Sequence, residues 1–276
     1  MHLEHHPDNI PVFFCRRVQV MELFFQEFGQ GRPLVILHGL LGDSGNWRNV
    51  AVQMAEERRV ITVDLRNHGR SFHHTDCSYQ VMAQDVLQLA DRLKLSSFDL
   101  MGHSMGGKTA MHLALHKGQR IDRLAVVDIS PKAYENRHQS VFAALESVAL
   151  DSLSNRKEAE QTLMGALNDV GVVQFLLKGL YKNDQGNFQW RYNLAGLKAG
   201  YDHLSLAPQT ESSQPFSNPT LFIKGGNSDY IQAGDQQETL RWFPKAQAKI
   251  IADAGHWPHV EKNRLFLNIV ERFFTP

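Results

Sequence analysis

A serine stands between two glycines in Gly102-His103-Ser104-Met105-Gly106, and this run constrains the fold more than any other part of the chain. The residues before it, Phe98-Asp99-Leu100-Met101, read as a short buried strand. Those after it, 107–116, read as a helix with Ala110, Met111 and Ala114 on one side. G-x-S-x-G between a strand and a helix is the spacing of a tight, strained turn that exposes the serine hydroxyl as a nucleophile. Glycines belong on either side because side chains there would strike the neighbouring strand and helix. The helix N-terminus beneath the serine favours negative charge, on the nucleophile or on an oxygen that gains charge during reaction.

Apolar runs at 34–37, 60–63, 98–101, 124–127, 221–223 and 249–252 recur along the chain, each ending in turn residues. Nearly continuous rather than alternating, they suit strands buried on both faces of a mostly parallel sheet. Residues 22–29 make a further strand near the start. Between strands, Met82, Val86, Leu89 and Leu93 recur at helical spacing. Alternating strands and helices predict a doubly wound α/β core. The alternation stops from about Pro131 to Pro219, where three helical stripes follow one another. They comprise Val141, Leu145, Val148 and Ala149; Val173, Phe175, Leu176 and Leu180; and Leu194, Leu197, Tyr201 and Leu204. This predicts a helical cap at 131–218 over the carboxyl ends of the strands, where open α/β sheets bind ligands. The core is then split into 21–130 and 219–276. Residues 1–20 are polar at their start and are expected to be a leader or loosely attached segment, with His2, His5 and His6 a solvated cluster rather than a metal site.

Composition narrows the function further. The 276 residues suffice for a large core, and 29 basic residues balance 29 acidic ones. No basic run or aromatic–basic interleaving marks a nucleic-acid surface. Two cysteines, Cys15 and Cys77, make no disulfide framework and point to a reducing compartment. No apolar run approaches the roughly 20 residues needed to span a bilayer.

A serine hydroxyl needs a base, and the base needs an orienting acid. Among 14 histidines, position selects His256 in Ala254-Gly255-His256-Trp257-Pro258-His259, just past the last strand; His259 is expected at the surface or behind it. Two aspartates compete for the acid. Asp128 ends the strand at 124–127, and Asp229 follows the strand at 221–223. Asp253 lies too close to His256 in sequence to orient its ring. Oxyanion donors are expected from the amides of Met105, after the nucleophile, and of Leu40, in His38-Gly39-Leu40-Leu41-Gly42. Arg191 and Lys108 are candidate contacts for an anionic substrate group.

At these residues the chain resembles the α/β-hydrolase superfamily from Met21 onward. The matching segments are 38–42, Asp64-Leu65-Arg66-Asn67-His68-Gly69-Arg70-Ser71, 102–108, Val127-Asp128-Ile129-Ser130-Pro131 and 255–259. Arg66-Asn67-His68-Gly69, Gly106-Gly107-Lys108 and Trp190-Arg191-Tyr192-Asn193 make it similar to the YbfF-type bacterial esterases and their mitochondrial relatives with an abhydrolase domain. That resemblance implies a cytoplasmic esterase or thioesterase with a helical cap, no cofactor and no metal. It also implies that the acid follows the strand that Asp128 ends; relatives often lack an acid where this chain has Asp229. The expected reaction is hydrolysis of small to medium acyl esters or acyl-CoA thioesters through an acyl-enzyme. The alternatives are a carbon–carbon or amide hydrolase with the same residues, or a non-catalytic ligand-binding protein of this fold. Small-molecule substrates are expected, without nucleic-acid or membrane partners, and the oligomeric state is left open.

Overall fold

The structure, a computed structural model, describes residues 21–275. The leader reading of 1–20, with His2, His5, His6 and Cys15, lies outside the described residues. The chain begins with β1 (Phe25–Phe28), β2 (Arg32–Leu37), α1 (Arg48–Met54), β3 (Arg58–Val63), α2 (Tyr79–Arg92), β4 (Phe98–His103), α3 (Met105–Lys117) and β5 (Ile121–Val127). There follow α4 (Gln139–Glu146), α5 (Arg156–Leu167), α6 (Val170–Leu177), a ribbon of β6 (Leu180–Lys182) and β7 (Phe188–Trp190), α7 (Leu194–Ala199) and α8 (Tyr201–Ser205). The chain then completes the sheet with β8 (Thr220–Gly225), α9 (Gln236–Trp242), β9 (Ala246–Ile251), α10 (Pro258–Glu261) and α11 (Asn263–Phe274).

The seven-stranded sheet has the order β1-β3-β2-β4-β5-β8-β9. β1 runs antiparallel to β3, and every other pairing is parallel. Both faces are covered, which is why the strands read as continuous apolar runs. Along β2, Leu34 and Ile36 join one core with Trp47, Phe266, Val270 and Phe274. Val35 and Leu37 join the other with Met82, Val86, Met111 and Leu113. β9 departs from the expectation of a strand buried on both sides. It is the sheet's edge, and Gln247, Ala248, Lys249 and Ile250 are exposed there.

The segment between β5 and β8 is rich in helices, but the three stripes do not each make one helix: Val148 and Ala149 lie beyond α4, Leu180 is on β6 rather than α6, and the third stripe is broken at Gly200 into α7 and α8. The segment is tied to the core at Asn67. Asn193 N–H donates to the Asn67 carbonyl at 2.8 Å, and its side-chain amide to Asn67 Oδ1 at 3.1 Å. Other residues of the 64–71 run also build scaffold. Asp64 accepts from the amides of Ser44 and Arg70, and Arg66 pairs with Asp85 through Nε at 2.6 Å and Nη2 at 2.7 Å.

Candidate active site

β2, β4, β5, β8 and β9 run the same way, so the loops leaving their carboxyl ends share one rim of the sheet. Those loops carry Leu40, Ser104, Asp128, the 226–230 turn and His256 respectively. The cavity at this rim has a volume of about 780 Å³, and Leu40, Ser104 and His256 line it together. Such a volume lies within the usual range for small-molecule sites.

Ser104 has φ 52° and ψ −117°, a conformation that L-residues rarely hold and that surrounding structure must enforce. Its N–H donates to the Val127 carbonyl at 3.0 Å, tying the turn to β5. The flanking glycines are required by close approach. A Cβ on Gly102 would lie 2.2 Å from the Gly106 carbonyl oxygen, and one on Gly106 would lie 2.4 Å from the His38 carbonyl oxygen. The Met105 amide opens α3, in the first turn whose N–H groups have no carbonyl within the helix. Leu40 N–H also has no protein acceptor among the described residues. Beside it, Leu41 N–H is taken by His68 Nε2 at 3.1 Å and Gly42 N–H by the Gly39 carbonyl.

The two aspartates differ sharply in placement. Asp128 is fully buried, and its Oδ2 meets His256 Nδ1 at 2.7 Å. Its Oδ1 accepts from Gly225 N–H at 2.9 Å, and Ser228 Oγ–H donates to Oδ2. Asp229 is largely exposed, and its carboxylate pairs with Arg137. The Arg137 guanidinium holds the Asp229 carboxyl below the usual carboxylate range. With Nδ1 of His256 donating to Asp128, Nε2 is left to accept a proton. Ser104 and His256 share the cavity without a direct hydrogen bond among the described residues; such contacts are commonly loose until substrate tightens them.

Two further histidines, His103 and His259, are buried near His256. His103 Nε2 donates to the His256 carbonyl at 2.7 Å, and burial keeps His103 well below its ordinary pKa and hence neutral. His259 is also buried, not at the surface. It stacks on Trp47 with ring centroids 4.2 Å apart, and burial pushes its pKa down to about 3. The sequence reading passed over His103, the variable position of its own motif, and over Tyr230 and Arg137. Tyr230 stacks on the His256 ring, and Arg137 lies over Tyr230. Nothing local in the sequence signals that stack beyond the adjacency of Tyr230 to Asp229.

Lys108 and Arg191 are not brought to the cavity. The Arg191 guanidinium lies 4.6 Å from the Tyr181 ring. Lys108 is buried beside Tyr134, with its ammonium donating to the Leu206 carbonyl at 2.5 Å and the Ser205 carbonyl at 3.3 Å. Burial, reinforced by the charge of Lys132, pushes its pKa from an ordinary 10.5 down to about 7. Between those values the unfolded chain holds a proton that the folded chain lacks, so this group makes stability rise with pH across that window. The wild type is expected to gain about 2 kcal/mol relative to Lys108→Met between about pH 7 and about pH 9 in urea unfolding. A difference that stays constant over that range would contradict the assignment.

A hydroxyl on a strained turn, an imidazole backed by a carboxylate and two amides at the rim form a set able to transfer an acyl group. Among the described residues no group of three or more His, Cys, Asp or Glu side chains is placed to hold a metal ion. No helix among them is long and apolar enough to cross a membrane.

Known proteins resemble this chain in sequence and in fold. The sequence pattern of a family described by the α/β hydrolase fold matches residues 32–263. The mouse protein named sn-1-specific diacylglycerol lipase ABHD11 is 42% identical over 250 residues, covering 88% of this chain and 80% of that protein. Esterase YbfF of Escherichia coli strain K12 is 36% identical over 244 residues, covering 88% of this chain and 93% of the esterase. A solved structure described as a marine microorganism esterase superposes with a TM-score of 0.89 at 35% identity, covering 92% of this chain and all of its own.

Proposed function

The chain belongs to the α/β-hydrolase family and is a carboxylic ester hydrolase of the YbfF type, and on that premise we propose how its residues divide the work. Ser104 Oγ attacks the acyl carbon as its proton passes to His256 Nε2, while Asp128 holds the ring through Nδ1–H. The amides of Leu40 and Met105 take the oxyanion of the tetrahedral intermediate. Collapse expels the alcohol or thiol with the proton from His256 and leaves an acyl group on Ser104. Water then gives its proton to His256 and attacks the acyl carbon, and collapse returns that proton to Ser104 Oγ and releases the acid. The observation that carries this reading is the 2.7 Å contact between His256 Nδ1 and buried Asp128, at the cavity that Ser104 lines. The side chains and amides complete the chemistry without a cofactor.

Residues 131–218 serve as the cap that selects the acyl group, a role supported by Val141, Val172 and Phe175 in the cavity wall. Acyl-CoA thioesters belong to the same proposal, because a thiol leaves from the same intermediate as an alcohol. Work in the cytoplasm fits Cys77, a buried thiol with no disulfide partner among the described residues. Turnover should be measured on p-nitrophenyl esters from acetate to palmitate and on the matching acyl-CoA thioesters. The expected result is ester hydrolysis with an optimum among short to medium chains and measurable thioester cleavage. No turnover of any ester would overturn the hydrolase reading, and turnover of esters alone would remove the thioester part.

A further inference from the structure

We propose that Arg137, Asp229 and Tyr230 form a positioning clamp through which the 131–218 segment holds the His256 imidazole in the plane of its bond to Asp128. This rests on the reading of His256 as the base for Ser104. An imidazole fixed at one nitrogen can still swing about its side-chain torsion, whose preference is broad. A second constraint has to come from a ring face. Tyr230 supplies it, stacked on His256 with centroids 3.9 Å apart and planes 18° apart. The Arg137 guanidinium covers Tyr230 at 4.6 Å from the ring centroid, so cation, phenol and imidazole all meet through the Tyr230 ring.

The clamp is anchored on both sides. Arg137 is bound to Asp229, the residue just before Tyr230, so one ion pair fixes the cation over the ring. Tyr134, from the same approach to α4, donates its hydroxyl to the Tyr230 carbonyl at 2.5 Å. Within the turn after β8, successive residues therefore serve separate partners: Ser228 bonds Asp128, Asp229 bonds Arg137 and Tyr230 covers His256. The carboxylate that competes with Asp128 in the sequence has a task of its own, which is to fasten the 131–218 segment over the base. Unseating that segment removes the cation and loosens the phenol, and the imidazole loses its plane.

The test compares Tyr230→Phe, Tyr230→Leu, Arg137→Gln, Asp229→Asn and the Arg137→Gln/Asp229→Asn double variant with Ser104→Ala and wild type. Tyr230→Phe keeps the stack and should stay within about twofold of wild-type kcat. Tyr230→Leu should lose on the order of tenfold to a hundredfold in kcat, with KM within about threefold. Arg137→Gln and Asp229→Asn should each lose about threefold to tenfold, and the double variant no more than the worse single, because both cut one tether. The low-field proton resonance of the His256–Asp128 bond should persist in Tyr230→Phe and be lost or broadened in Tyr230→Leu, a change that general loosening elsewhere would not produce. Wild-type kcat in Tyr230→Leu with that resonance intact would overturn the clamp. Should Tyr230→Leu not fold, wild-type kcat in both Arg137→Gln and Asp229→Asn would overturn it equally. Full activity in Ser104→Ala would instead overturn the serine reading, so the two failures are separable.

Discussion

Replacing Ser104 by alanine is expected to abolish covalent labelling by a fluorophosphonate and to lower ester turnover by several powers of ten, up to about 10⁶ in kcat. The reagent needs an activated hydroxyl, the role proposed for Ser104, which sits at φ 52° at the N-terminus of α3. The variant should keep its fold, because alanine preserves the Cβ and the amide that bonds Val127. A small residual rate is expected from the Leu40 and Met105 amides acting with water. Intact-protein mass spectrometry after labelling gives the check. Adduct formation undiminished in Ser104→Ala would remove Ser104 from the mechanism.

The second large effect is expected at Asp128. Asp128→Asn removes the carboxylate opposite His256 Nδ1 and replaces one oxygen with an amide that donates. An imidazole facing a donor turns to the tautomer with its proton on Nε2, and then cannot accept from Ser104. The loss should reach about 10⁴ in kcat with the protein still folded. Asp229→Asn should cost about tenfold or less, since its carboxylate meets Arg137 rather than the imidazole. The two variants should be assayed side by side on one ester. A reversed order of kcat would give the role of acid to Asp229, and equal moderate losses would mean that either carboxylate can serve.

The parallel core was readable because burial on two faces leaves an unusually plain trace. β2 is apolar from Leu34 to Leu37, β4 is apolar apart from Asp99 and His103, and Gly102 and Gly106 mark the turn between β4 and α3. β9 was legible as a strand but not as an edge, since strand order is a property of the whole sheet. The ribbon of β6 and β7 escaped notice because two three-residue strands make no periodic signal. α5 did too, its residues being largely polar, with only Ala159 and Leu163 buried.

Within the candidate site, Ser104, His256 and both aspartates could be named from spacing and chain order. The ranking of Asp128 over Asp229 could not be read from local sequence, because each ends or follows a parallel strand at the same rim. Only the loop conformations separate them, with Asp128 itself at φ 52° and Asp229 turned outward to Arg137. The Lys108 and Arg191 expectations failed to reach the cavity for a related reason. A charged residue in a motif gives no direction, and the Lys108 ammonium is taken up by carbonyls near the end of α8.

The hydrogen bond between His256 and Asp128 joins residues 128 positions apart, and that between His103 and the His256 carbonyl spans 153. Contacts of such long range are costly in chain entropy until much of the intervening polypeptide has found its place. On the proposed roles, hydrolytic competence depends on these long-range contacts, and a fragment that stops short of β9 carries the Ser104 elbow without His256.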